Sequence, residues 1–356
     1  MSRTIFWPGV PLALLSAMFF GASTPLAKNL LGGGLHPGLL AGLLYLGSGL
    51  GLGAYWLVRR WTGRGAAEAP LRRADLPWMA LIILSGGVIG PLLLMIGLAA
   101  TPASSAALLL NLESLATMAI AWVVFRENVD RRLLIGAAAI LTGAVVLSWS
   151  GGVAPVGWGA VCIAGACLAW GIDNNLTRKL SGSDPVEITA AKGLAAGAAN
   201  LGLALANGAQ LPSGTAVAGA AVVGLFGYGV SLVLFVLALR HLGSARTGAY
   251  FSTAPFIGAA LAVGLFGETL SARLGIAAVL MGIGLWLHLA ERHEHVHTHE
   301  AMEHEHRHVH DEHHQHSHTK DDPPGEPHTH AHRHEPLVHS HPHYPDLHHR
   351  HDHPCA

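Results

Sequence analysis

Long apolar segments alternate with short polar segments along most of the chain. A helix needs about 20 residues to cross the ~30 Å hydrocarbon core of a bilayer, because each residue adds about 1.5 Å. Ten segments of roughly this length are predicted to span a membrane, at residues 10–31, 39–58, 76–100, 104–125, 133–149, 156–176, 186–206, 216–239, 247–266 and 274–289. The pattern therefore predicts an all-α membrane protein with ten transmembrane helices.

The second five segments repeat the first five. At an offset of 141 positions the aligned pairs include Leu98 with Leu239, Phe125 with Phe266, Glu127 with Glu268, Arg132 with Arg273 and Gly143 with Gly284. At an offset of 150, Gly21 aligns with Gly171 and Lys28 with Arg178, so the first helix has a retained counterpart and is not expected to be a cleaved signal peptide. Because each repeat has an odd number of spans, we expect two inverted five-helix repeats, at residues 1–149 and 150–290.

Composition supports immersion in lipid and marks off a different C-terminal segment. The chain is 51% hydrophobic and 12% charged, against about 25% charged residues in soluble domains. From Glu291 onward there are 5 Lys and Arg against 13 Asp and Glu, and 23 of the 26 histidines lie there. Histidine alternates with other residues and prolines are frequent, which opposes a helix. Residues 291–356 are therefore predicted to be a disordered tail.

The positive charges predict the orientation. Cytoplasmic loops retain Lys and Arg, so the N-terminus is placed inside. The cytoplasmic side then receives Arg3, Arg59, Arg60, Arg64, Arg72, Arg73, Arg126, Arg131, Arg132, Arg178, Lys179, Arg240 and Arg246, and the other side receives Lys28 and Arg273. An even number of spans returns the tail to the cytoplasm, and the expected location is the plasma (inner) membrane.

Glycine recurs within the predicted spans, as at Gly47, Gly49, Gly193 and Gly197. Small residues at this spacing let helices approach closely in lipid. Packing within the chain is the simpler interpretation, and contact in a homodimer is the alternative.

The repeat, the ten spans and the Phe-x-Glu endings at Phe125 and Phe266 together resemble the EamA family of the drug/metabolite transporter superfamily, over about residues 8–290. The resemblance implies a central cavity between the repeats, alternating access and no ATP hydrolysis. It leaves the solute open, because members carry amino acids, metabolites and drugs. The family usually has a proline midway along the fourth helix. In this chain Ser114 occupies that position, whereas the matching position of the ninth helix is Pro255.

Polar residues at membrane depth are the candidate solute site. Ionisable groups there cost about 2.5–3.5 kcal/mol on insertion scales, so they usually face a cavity or a partner. The candidates are Glu113, Asn111, Asp173, Asn174 and Lys192.

Each charged candidate has two interpretations. Glu113 is expected to bind a cationic group of the solute or to take up a coupling proton; the alternative is a static contact with Lys192 or a hydroxyl. Asp173 either binds solute or contacts Arg178 as a structural group. Lys192 either lines the cavity or extends towards the cytoplasmic headgroups.

The tail is predicted to bind divalent transition metals, because imidazole is a good ligand for Zn, Ni and Co and a flexible chain can gather several imidazoles. The candidate ligands are His293, His295, His297, His299, His304, His306, His308, His310, His313, His314, His316 and His318. A solvated, buffering tail is the alternative.

Three functions remain after these observations: a carrier of a small organic solute, a transition-metal carrier, and a metal-buffering membrane receptor. The spans show no dense cluster of metal ligands, which favours the organic solute. No nucleotide-binding loop, nucleophile–base pair or nucleic-acid patch is present in the sequence, so we expect a protein that is not an enzyme, requires no cofactor and has no nucleic-acid partner.

Overall fold

The structure of the protein is a computed structural model that describes residues 9–62, 71–125, 131–149, 157–177, 180, 183–289, 294–299, 302–308, 328–334 and 337–342. In the first half the helices are α1 (Gly9–Gly32), α2 (Pro37–Trp61), α3 (Leu76–Ile82), α4 (Gly90–Ala99), α5 (Ala103–Leu109), α6 (Leu112–Phe125) and α7 (Arg131–Ser148). In the second half they are α8 (Trp158–Thr177), α9 (Pro185–Ala206), α10 (Gly214–Gly224), α11 (Ser231–Phe251), α12 (Ala254–Phe266) and α13 (Ala272–Leu289).

Several helix starts follow directly from the local sequence. α2 begins at Pro37 after His36, whose ring nitrogen accepts a hydrogen bond from Gly38 N. α9 begins in the same way at Pro185, after Asp184 accepts a hydrogen bond from Val186 N. Proline suits the first helical position, where an N–H would lack a partner, and the preceding side chain caps the next free amide.

Seven helices among the described residues are long and apolar enough to cross a bilayer, namely Gly9–Gly32, Pro37–Trp61, Arg73–Ala99, Ala103–Val124, Arg131–Ser148, Pro185–Ala206 and Gly214–Ala238. Ala254–Phe266 and Ala272–His288 are apolar but shorter. Many large apolar side chains point outward, Val123 and Val279 among them, as expected of a surface covered by lipid. These residues confirm an all-α, multi-helix membrane protein, while the count of ten spans stays a prediction.

The helices pack in pairs that join the two halves. α2 packs on α9, α7 on α13, α1 on both α11 and α12, and α8 on both α4 and α6. Each pairing joins a helix from the first half to one from the second. The interior between the halves is therefore formed by both of them together.

Glycine makes the closest of these contacts. A Cβ atom on Gly49 would lie 2.4 Å from Leu194 N, and one on Gly197 would lie 2.6 Å from Leu46 N. A Cβ atom on Gly193 would lie 2.6 Å from Gly49 N. The predicted close helix approach is thus found within the chain, between α2 and α9.

The long helical segment α11 turns back on itself. The rings of Phe235 and Phe251 have centroids 4.9 Å apart, although 16 residues of straight helix would separate them by about 24 Å. The eighth predicted span therefore ends, and the ninth begins, inside this segment.

Both halves carry irregular helix at corresponding positions. π-helical segments at Ile83–Ile89 and Leu225–Val230 interrupt the third and eighth predicted spans and correspond at the offset of 141. The fourth span is interrupted between α5 and α6, and the ninth between α11 and α12, again at corresponding positions. Interruptions at membrane depth are tolerated where the backbone is buried in protein or lines a cavity.

Four short segments of the tail are described, while disorder of residues 291–356 as a whole stays a prediction. They form four strands, β1 (Glu294–His299), β2 (Met302–His308), β3 (His328–His334) and β4 (Leu337–Pro342), with β1 antiparallel to β4 and β2 antiparallel to β3. Histidine at every second position matches the period of a strand, which explains why this pattern fits a strand and not a helix.

Candidate functional site

Glu113 lies in the first turn of α6, directly after the helix interruption. Its Oε1 accepts a hydrogen bond of 2.9 Å from Asn174 Nδ2 on α8. The same amide donates to Thr117 Oγ1 at 3.3 Å, one turn further along α6. The carboxylate is thus held between the two halves by a neutral partner.

Asp173 and Lys192 form an ion pair inside the bundle. Lys192 Nζ, on α9, donates to Asp173 Oδ2, and Thr177 Oγ1 donates to Asp173 Oδ1 at 3.1 Å. Asp173 is 5% exposed and Lys192 is 4% exposed. Lys192 therefore extends into the interior, not towards the headgroups. Its partner is Asp173, so the ion pair that the sequence suggested between Lys192 and Glu113 does not form.

The π-helical segment makes room for this pair. A Cβ atom on Gly86 would lie 2.1 Å from Asp173 Oδ2, so only glycine fits beside the carboxylate. Gly86 O accepts hydrogen bonds from Tyr45 OH at 2.8 Å and from Trp170 Nε1 at 2.9 Å. A carbonyl released from regular helix bonding is thereby satisfied by two side chains.

The two interrupted helices satisfy their free carbonyls with nearby side chains. In the first half Asn111 Nδ2 donates to Leu108 O at 2.9 Å, and Ser114 Oγ donates to Asn111 O at 2.7 Å. In the second half Thr253 Oγ1 donates to Tyr250 O at 2.6 Å. The first half therefore keeps the interruption with Ser114 where the second half has Pro255.

Aromatic side chains surround the interior next to these polar groups. Phe20 contacts Trp170 with ring centroids 5.9 Å apart, Tyr228 at 5.8 Å and Phe251 at 5.2 Å. Tyr45 contacts Tyr228 at 5.4 Å. Glu113 is close enough to both tyrosines to interact with them electrostatically. The carboxylate thus lies beside an aromatic wall contributed by both halves.

The structure brings four of the five predicted site residues together. Glu113 contacts Asn174, and the neighbouring residue Asp173 contacts Lys192. Asn111 is 2% exposed, and its amide contacts Leu108 and Met281 instead of Glu113. Sequence reasoning missed Gly86, Tyr45 and Trp170. Only the correspondence of Gly86 with Gly227 at the repeat offset could have drawn attention to that position.

A second polar cluster lies at the end of the bundle that holds Lys28. Glu268 accepts hydrogen bonds from Ala103 N at 2.7 Å and Ser104 N at 2.8 Å, and Lys28 Nζ donates to Leu98 O at 2.6 Å. Burial alone would raise the pKa of Glu268. The hydrogen bonds from Ser104 and Ala103, with the charge of Lys28, outweigh burial and lower that pKa below its ordinary value.

Among the described residues no group of three or more His, Cys, Asp or Glu side chains is arranged to hold a metal ion. Of the predicted tail ligands, six lie in β1 and β2, where the structure gives the backbone register only: His295, His297, His299, His304, His306 and His308. The other six lie outside the described residues: His293, His310, His313, His314, His316 and His318.

A multi-pass helical membrane protein with interrupted helices and buried charges at its centre has the architecture of a transporter. The model of the EamA-like transporter family matches residues 7–149 and again residues 157–290, and the chain belongs to this family. It is a membrane transporter and not an enzyme.

Known relatives agree with this assignment. The chain is 28% identical over 292 residues to a protein of Methanothermobacter thermautotrophicus called an uncharacterized transporter, covering 77% of this chain and 84% of the relative. It is 26% identical over 273 residues to the inner membrane transporter YedA of Escherichia coli, covering 72% and 84%. Solved structures match as well, among them one with a TM-score of 0.58 at 20% identity, over 78% of this chain and 95% of the other, which supports the fold alone.

Proposed function

We propose that the protein is a secondary-active carrier of a small organic solute, which binds between the two halves beside Glu113 and the Asp173–Lys192 pair. The observation that carries this proposal is the position of these charged groups. They lie buried next to a π-helical segment in α3–α4 and an interruption between α5 and α6. Discontinuous helices with charged groups at membrane depth are typical of solute sites in secondary transporters.

The matched irregularities support alternating access by two inverted repeats. Each half contributes one π-helical segment and one interrupted helix, and the helices pack in corresponding pairs across the interior. A rocking motion of one half against the other would expose the shared site to each side in turn. We infer ten spans in the inner membrane, with both termini cytoplasmic, in line with the distribution of arginine and lysine.

Flux in proteoliposomes tests the proposal. Three aromatic probes of similar size and different charge are compared: 2-phenylethylammonium, phenylalanine and 3-phenylpropionate. We expect at least one to exchange across vesicles that contain the protein, with exchange reduced by Glu113→Gln. Asp75→Asn is the matched control, since its acid-to-amide change affects an exposed hydrogen bond to Arg72 N. Exchange of no probe above that in empty vesicles would refute the carrier proposal.

For the tail we propose binding of Zn, Ni or Co. The strand register supports this, because His304, His306 and His308 lie opposite His332, His330 and His328. Titration of the full chain with Zn²⁺ should show sites that a version ending at Ala290 lacks. Equal Zn²⁺ binding by both versions would refute the tail assignment.

The alternative of a transition-metal carrier receives less support. The described helices offer no group of three ligands for a metal along the interior. The same proteoliposomes distinguish the two functions, since a metal carrier would accumulate Zn²⁺ and none of the organic probes. The glycines of α2 and α9 pack against each other within one chain, so they do not support a homodimer. Association into a homodimer stays an alternative.

A further inference from the structure

The charges of the interior do not balance among the described residues. Lys192 is paired with Asp173, which leaves that pair neutral. Glu113 receives its hydrogen bond from the uncharged amide of Asn174, and no described Lys, Arg or His forms an ion pair with it. The site therefore carries one carboxylate without a counter-ion, and a buried carboxylate is costly until a positive charge or a proton reaches it.

Five side chains that donate hydrogen bonds in the interior already have acceptors. Trp170 Nε1 and Tyr45 OH donate to Gly86 O. The amide of Asn175 donates to Thr117 O and Gly171 O. Asn174 and Lys192 donate to the two carboxylates. A solute that accepts hydrogen bonds from these five side chains would have to break one of these contacts.

Some buried acceptors, in contrast, have no hydrogen-bond partner. The buried side-chain atoms without a hydrogen-bond partner in the described part of the chain are Asn111 Oδ1, Asn200 Oδ1, Tyr228 OH, Thr247 Oγ1 and Arg59 Nε. Two of the five are acceptor-only amide oxygens, and two are hydroxyls, which can accept as well as donate. Arg59 Nε can only donate, and it belongs to the Arg59–Asp184 pair at the end of α2. Of these atoms the Tyr228 hydroxyl belongs to the aromatic wall beside Glu113, where it can accept a hydrogen bond from an N–H group of a ligand.

We propose that the solute is an organic cation that carries an N–H-bearing ammonium group on an aromatic or apolar body. Glu113 binds the ammonium group, and the two opposite charges compensate each other. Phe20, Trp170 and Tyr228 contact the body, and their ring faces add attraction for the positive charge. This inference rests on the proposed carrier function and specifies its substrate class.

Binding to the purified full chain in detergent tests the inference, with the same three probes measured by isothermal titration calorimetry. We expect 2-phenylethylammonium to bind, with 3-phenylpropionate weaker or not bound. Glu113→Gln should weaken the cation roughly 30-fold or more, the loss expected when one partner of a desolvated charge pair is removed. Asp75→Asn should bind as the wild type does.

The probe series on the wild-type protein needs no variant, so the inference stays falsifiable if Glu113→Gln does not fold. No binding of 2-phenylethylammonium, or tighter binding of 3-phenylpropionate, overturns the inference. So does unchanged cation binding by folded Glu113→Gln. If the anion alone exchanges across vesicles, the carrier function stands and the cation assignment falls. If none of the probes exchanges, the carrier function itself falls.

Discussion

Removal of Lys192 is the sharpest test of the interior ion pair. In Lys192→Met the aliphatic stem is retained and the charge is lost, so Asp173 is left without its cation. The Asp173 side chain is 8% exposed and the Lys192 side chain 5%, so water screens the pair only slightly. Glu113 is close enough to add repulsion to the unpaired Asp173 carboxylate.

The expected loss follows from this burial. Breaking a buried pair by removing one partner costs about 3–5 kcal/mol, whereas exposed pairs contribute about 0–1 kcal/mol. Unfolding in mixed micelles, followed by tryptophan fluorescence, measures the change in free energy of unfolding. Arg60→Met is a matched control, because Arg60 is exposed and contacts the Trp56 ring. We expect a much smaller loss for that variant.

A double-mutant cycle separates the pair from general packing effects. Asp173→Asn combined with Lys192→Met removes both charges, so the double variant should be more stable than Lys192→Met alone. Groups in direct contact show coupling energies of about 0.5–3 kcal/mol. The reasoning is refuted if Lys192→Met costs less than about 1 kcal/mol, or if the two single effects simply add.

Three further predictions concern other parts of the bundle. Gly86→Ala should destabilise the protein strongly, because the added Cβ atom would overlap Asp173, whereas Gly202→Ala, with nothing within 4 Å, should be close to neutral in the same unfolding assay. Glu268 has a lowered pKa, so its stabilising effect should be complete above its ordinary pKa of 4.5 and lost as the pH falls through the lower folded value. The stability gap between wild type and Glu268→Gln should therefore shrink below pH 4.5, and a gap that widens on acidification would contradict this assignment. Ser114→Pro should be tolerated, because Pro255 occupies the corresponding position in α12; loss of folded protein on size-exclusion chromatography would count against equivalent interruptions in the two halves.

Part of this site could be predicted from the sequence. The apolar surroundings of Glu113, Asp173 and Lys192 identify them as buried charges, and the repeat offsets predict which segments correspond. The pairing could not be predicted, because Asp173 and Lys192 lie on different helices whose relative rotation depends on packing. A contact between Glu113 and Lys192 was an equally reasonable expectation from position along the chain.

The role of Gly86 was less accessible still. A glycine in an apolar span gives no polar signal, and the structure alone places it against Asp173. The interruption of the fourth helix could not be predicted either, because Ser114 occupies the expected proline position. Hydrogen bonds from Asn111 and Ser114 to nearby carbonyls explain how it forms without proline.

The carrier function through Glu113 is tested most directly by uptake of radiolabelled 2-phenylethylammonium into proteoliposomes. A concentration gradient of this cation should drive its uptake with wild-type protein, and little or none with Glu113→Gln or with empty vesicles. Equal uptake with wild type and Glu113→Gln, or none above empty vesicles with the wild type, would contradict the account.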